Sequence, residues 1–66
     1  MTSYVLKVFY EDEPRPRETL GEDRGSEVLA MIPRLLARHP GCHRVRVYLG
    51  DALLFAVDCN GMDVAE

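Results

Sequence analysis

From Tyr4 to Tyr10 the chain reads Tyr-Val-Leu-Lys-Val-Phe-Tyr, a β-branched and aromatic run that predicts a first strand. Alternation turns Leu6 and Val8 inward and leaves Val5, Lys7 and Phe9 on the opposite, wetter face. Residues 11–24 hold Pro14, Pro16, Gly21 and many charges around one apolar residue, Leu20, and read as a long acidic loop. Helical spacing follows: Val28, Ile32, Leu35 and Leu36, joined by Leu29, fall on one stripe. Ser26 or Asp23 stands where an N-cap is wanted, and Glu27 suits the positive end of the helix dipole. Pro33 interrupts the stripe, which predicts a kink, or a helix that restarts with Pro33 in its first turn. His39-Pro40-Gly41 ends it.

Residues 43–49 alternate cleanly, with Arg44, Arg46 and Tyr48 on one side and Val45, Val47 and Leu49 on the other. Gly50-Asp51 marks a turn, and Ala52 to Asp58 predicts a third strand whose Leu53, Phe55 and Val57 share one face. A two-residue turn makes paired residue numbers sum to 101, which sets Cys42 opposite Cys59 and puts Leu53, Phe55 and Val57 with the arginines. A sum of 102, through a three-residue loop or a bulge, joins the two apolar sets instead and places Arg44 opposite Asp58. Because a slip of one residue sends a whole apolar set to the wrong side, the even register is expected, with Cys42 and Cys59 on opposite faces and unable to bridge. The segment 60–66 carries turn residues and is expected to fray.

The pattern predicts an α+β fold in the order β-α-β-β, one helix on one face of a three-stranded, mainly antiparallel sheet spanning residues 1–66 as a single domain. The first strand lies either parallel beside the second or antiparallel beside the third, and the order 2-3-1 is preferred. One sheet face is left uncovered, carrying Val5, Phe9, Tyr48, Leu54 and Ala56 among Lys7, Arg44 and Arg46.

At 66 residues such a fold buries only about 60% of its unfolded surface. Nothing approaches the roughly 18-residue apolar run of a membrane span. The start at Met1-Thr2-Ser3-Tyr4 has no basic patch before an apolar stretch, and two cysteines are too few for a disulfide scaffold, so a cytoplasmic location is expected. The net charge of -3 conceals segregation. Residues 11–27 hold seven acids against three arginines, residues 28–50 hold four arginines and no acid, and residues 51–66 hold four acids and no base.

His39, Cys42, His43 and Cys59 are the only soft-ligand set, and they lack the paired Cys-x-x-Cys spacing of a zinc site, so no metal or cofactor is expected. Cys42 beside His43 has the residue types of a nucleophile and base, but strand neighbours point to opposite faces, and no enzyme is expected. Size and the opening β-α-β resemble the tautomerase family, yet Thr2 stands where that chemistry needs proline. The βαββ order is similar to dodecin, a flavin-binding oligomer, yet no tryptophan is present to stack a flavin. Arg34, Arg38, Arg44 and Arg46 with Tyr48 suggest nucleic-acid contact, but a net negative chain with one lysine gains little from counterion release.

The acids suggest the reverse. Glu11, Asp12, Glu13, Glu18, Glu22, Asp23 and Glu27, joined by Asp51, Asp58 and Asp63, offer spaced negative charge to a basic groove, and all of these but Asp63 are the candidate partner-binding residues. In size, acidity and lack of other chemistry the chain resembles the small inhibitors encoded by phages, anti-CRISPR proteins in particular, though by no motif. That resemblance implies a non-enzymatic inhibitor with a DNA-mimicking surface that blocks the DNA-binding groove of a nuclease or surveillance complex. The alternatives are a homo-oligomeric accessory subunit pairing through the uncovered sheet face, around Phe9, Tyr48 and Leu54, and a weak nucleic-acid binder.

Overall fold

In the computed structural model, which describes residues 3–65, five strands and one helix follow in the order β1 (Tyr4–Phe9), β2 (Glu18–Glu22), α1 (Gly25–Arg38), β3 (Arg44–Leu49), β4 (Ala52–Val57) and β5 (Asp63–Val64). Thr2, where the tautomerase comparison turns, and Glu66, one of the C-terminal acids, lie outside the described residues. The fold is α+β with one helix and an antiparallel sheet, as expected, but the sheet has five strands rather than three, in the order β2-β1-β3-β4-β5.

The first added strand comes from the segment read as loop. β2 folds back on β1 in the register Leu6↔Leu20, flanked by Tyr4↔Glu22 and Val8↔Glu18. An edge strand needs few inward apolar residues, and Leu20 alone supplies that contact. This extra reversal corrects the topology: β1 pairs antiparallel with β3, not with the strand after the turn, through Leu6↔Val47 and Val8↔Val45. The other added strand is β5, where Val64 pairs with Ala56 and Asp63 with Val57 instead of fraying.

The β3–β4 hairpin reconciles turn chemistry with amphipathicity. At the tip, Leu49↔Ala52 and Tyr48↔Leu53 sum to 101, the register of a two-residue Gly50-Asp51 turn, with Gly50 at φ 61°. That is the first central position of the turn, where a side chain is disfavoured. A bulge then absorbs Leu54, and Val47↔Phe55 and Val45↔Val57 sum to 102. The even register therefore holds for the core, while Leu53 moves to the face of Tyr48, away from Phe55 and Val57. Cys42 and Cys59 are both free thiols, the first buried and the second exposed.

α1 runs unbroken through Pro33. It buries Val28, Ile32 and Leu35 against Leu6, Val8, Val45, Val47, Val57 and Cys42, while Leu29 is 67% exposed and lies off the buried stripe. Neither Ser26 nor Asp23 caps it; Arg24 holds the N-cap position with no side-chain hydrogen bond. A side chain at Gly25, the first residue of the helix, would crowd the Tyr4 hydroxyl, which lies 3.0 Å from where a Cβ would sit.

Candidate functional site

The acids chosen from the sequence do not form one surface. In the β1–β2 loop, Glu11 and Asp12 are exposed, and Asp12 sits at φ 65°, a left-handed conformation that aspartate accepts more readily than most residues. Glu13 is held by both ends of the Arg17 guanidinium, which donates from Nε at 3.0 Å and from Nη2 at 2.6 Å. The Arg17 hydrogen bonds keep the Glu13 carboxyl below the usual carboxylate range. Glu18 accepts from Arg38 and lies against His39, so its charge is largely committed. Asp58 accepts the backbone N–H groups of Asn60 and Met62, which, with Arg44 as a smaller contribution, lower its pKa. All five lie at the end of the sheet where β1 finishes.

The other four gather at the opposite end. Glu22 faces Tyr4, Glu27 lies in the first turn of α1, and Asp51 is at the tip of the hairpin whose Gly50 N–H reaches the Ser3 carbonyl. With Asp23 they flank Arg24, whose backbone N–H is bonded to Glu22. The six residues of β1 lie between them, roughly 17 Å of extended chain, so the two acidic groups are separate features.

A network that sequence reading missed ties the first end together. The Tyr10 hydroxyl lies 2.8 Å from His39 Nδ1, and His39 Nε2 lies 2.7 Å from Glu18 Oε1. With its proton on Nε2, the imidazole donates to the carboxylate and accepts from the phenol. The connectivity is that of a hydroxyl, a base and an orienting acid. The Tyr10 ring is covered by the Arg17 guanidinium, 3.9 Å from its centroid, Glu18 is shared with Arg38, and the chain of bonds ties the C-terminus of α1 to the β1–β2 corner. Residues 21 and 29 positions apart carry no local signal of this. Among the described residues no three of His, Cys, Asp and Glu come together as metal ligands.

The remaining feature is the sheet face opposite α1. Cross-strand pairing places Gly21, Val5, Tyr48 and Leu53 in one row, Thr19, Lys7, Arg46, Ala56 and Val64 in the next, and Phe9 with Arg44 beyond. Leu53 replaces the expected Leu54, which is the bulged residue. Lys7 Nζ lies 5.0 Å from the centre of the Tyr48 ring and Arg46 Cζ 4.6 Å from that of Phe9, diagonal pairs that hold both cations in place. Among the described strand residues this face carries three cations and no carboxylate, and the Arg44 charge also acts on Asp58 just beyond β4.

No family model, no curated protein and no solved structure matches this chain. No helix of the described residues is long and apolar enough to cross a membrane.

Proposed function

We propose that this chain is a non-enzymatic protein-binding module whose contact surface is the sheet face opposite α1, and that its partner presents carboxylates and apolar groups to that face. The carrying observation is the segregation of Lys7, Arg44 and Arg46 among Val5, Phe9, Tyr48 and Leu53 with no acidic strand residue between them. A face kept only for solubility mixes both signs, whereas aromatic and arginine side chains without lysine- or glutamate-rich filler are the composition of interface centres. Pre-placed cations lose little freedom on pairing with an acid.

A single-stranded nucleic acid suits the face less well. Bases need open ring faces, and those of Phe9 and Tyr48 already carry Arg46 and Lys7. A phosphate chain running off either end of the sheet also meets the acids gathered there.

One observation favours a second reading, the acidic inhibitor of the anti-CRISPR kind: Glu22, Asp23, Glu27 and Asp51 lie at one end of the sheet, with Arg24 the one cation within residues 22–27. Affinity purification from the native host with three tagged proteins separates the two. Under the first reading the partner is retained by wild type and by E22K/E27K and lost by K7E/R46E. The opposite pattern transfers the function to the acidic end, and tight, salt-dependent capture of a single-stranded oligonucleotide that K7E/R46E abolishes replaces the protein partner with nucleic acid.

A further inference from the structure

We infer that the outer edge of β2, with the groove between it and α1, is a docking site for an extended peptide segment that is apolar at alternate positions and carries a carboxylate to meet Arg34. This site uses none of Lys7, Arg44, Arg46, Val5, Phe9, Tyr48 and Leu53, the residues that carry the proposal for the opposite sheet face, and does not depend on them.

β2 ends the strand order, so alternate residues direct backbone N–H and C=O groups away from β1 with no neighbouring strand among the described residues. At the other edge, β5 already covers Ala56 and Val57 of β4. Exposed edges are normally guarded by outward charge, yet of the two glutamates of β2 Glu18 is taken up by Arg38 and His39, and Glu22, its Oε1 bonded to the Arg24 N–H, stands at the far end of the strand. Thr19 and Gly21, which lie on the open face, leave the edge unobstructed.

On the helix side of this edge lies a groove of about 540 Å³, lined by Leu20, Met31, Leu35 and Ala37, with Arg34 and Arg38 at its rim. Arg38 is held by Glu18, whereas Arg34 makes no ion pair among the described residues. An apolar floor beside an uncommitted guanidinium selects an apolar side chain flanked by an acid, and the open strand edge selects a backbone rather than a free small molecule. A second copy of this chain fits poorly, because pairing β2 antiparallel with itself about Leu20 sets Glu18 opposite Glu22 of the other copy.

The test is selection of random linear peptides displayed against the intact immobilised chain, followed by titration of the synthetic consensus peptide. The expected consensus alternates apolar residues and includes an acid. Its affinity falls roughly tenfold or more with Arg34→Glu and is restored by exchanging the peptide acid for lysine. It is abolished by N-methylation of alternate peptide amides and unchanged by K7E/R46E, while the amides of residues 18–22 gain exchange protection in the complex. Failure to enrich a consensus, indifference to Arg34→Glu or N-methylation, or loss of binding in K7E/R46E overturns the site; circular dichroism of the variants confirms that they are folded.

Discussion

The imidazole of His39 rests against the carboxylate of Glu18, Nε2 to Oε1 2.7 Å apart, and so closes the C-terminus of α1 onto the strand that sequence reading took for loop. His39 is also the C-cap residue, its N–H shared between the Leu35 and Leu36 carbonyls. The contact therefore couples helix termination to placement of β2. Replacing His39 by alanine is expected to cost about 1–2 kcal/mol in urea unfolding, since a half-buried charged-group hydrogen bond and the bond to Tyr10 are lost together. A double-mutant cycle with Glu18→Gln should show coupling of about 1 kcal/mol. Strict additivity would mean that the network is an incidental contact.

The Leu54 bulge makes an uncommon prediction about deletion. Removing Leu54 turns the hairpin into one uninterrupted register with a two-residue turn, and Val47 still meets Phe55 and Val45 still meets Val57. The variant should fold with a stability within about 1 kcal/mol of wild type. Deleting Tyr48 instead leaves two unpaired residues on β4 and should unfold the chain. Equal damage from both deletions would refute the register argument.

What could be read from the sequence followed from amphipathic matching. β1, β3, β4 and the buried stripe of α1 each offer three or more apolar residues at one period, and the preference for the even register came from the same rule. β2 was missed because Glu-Thr-Leu-Gly-Glu has a single inward apolar residue, and without that reversal the neighbours of β1 were misassigned. β5 is two residues long, too short to carry a pattern, and follows a turn in which Asp58 accepts two backbone N–H groups. The acidic candidates were chosen by sequence proximity, yet pairing partners such as Arg17 and Arg38 decide which charges remain available.

Pro33 should be removable with profit to stability. A proline at this position cannot donate to the Leu29 carbonyl, yet α1 continues through it and Pro33 is exposed. Pro33→Ala restores that bond and a better helix former, and is expected to stabilise the chain by about 1–3 kcal/mol, read as a higher thermal midpoint. By contrast Leu35→Ala should cost about 2–5 kcal/mol, comparable to the whole stability of a chain of this size. Leu29→Ala should be nearly neutral.

The two thiols should react as different species. Burial, and then the proximity of Cys59, pushes the Cys42 thiol above its ordinary value, so the folded chain holds that proton more tightly than the unfolded one. The resulting stability is present below the unfolded pKa and is lost as pH rises through the higher folded value. Under native conditions iodoacetamide should label Cys59 alone, with Cys42 labelled at the rate of unfolding and faster in mildly alkaline buffer. Rapid labelling of both thiols at neutral pH would contradict the buried placement.

Asp58 should govern acid sensitivity locally. Its Oδ1 accepts the N–H groups of Met62 at 3.0 Å and Asn60 at 2.9 Å, and its own N–H donates to the Met62 carbonyl, so one carboxylate shapes the turn that brings β5 to β4. These bonds to the ionised form depress its pKa. A depressed pKa contributes stability above the unfolded value, and that contribution disappears as pH falls through the folded one. Acidification should therefore loosen β5 before the rest of the sheet, with the amides of Asn60 and Met62 losing exchange protection while those of β1 and β3 keep theirs. Asp58→Asn retains an acceptor but no charge, and should make the exchange of these two amides insensitive to pH across the acidic range once intrinsic rates are divided out. If wild type and Asp58→Asn respond to acid alike, the turn is held by its backbone alone and Asp58 is a bystander.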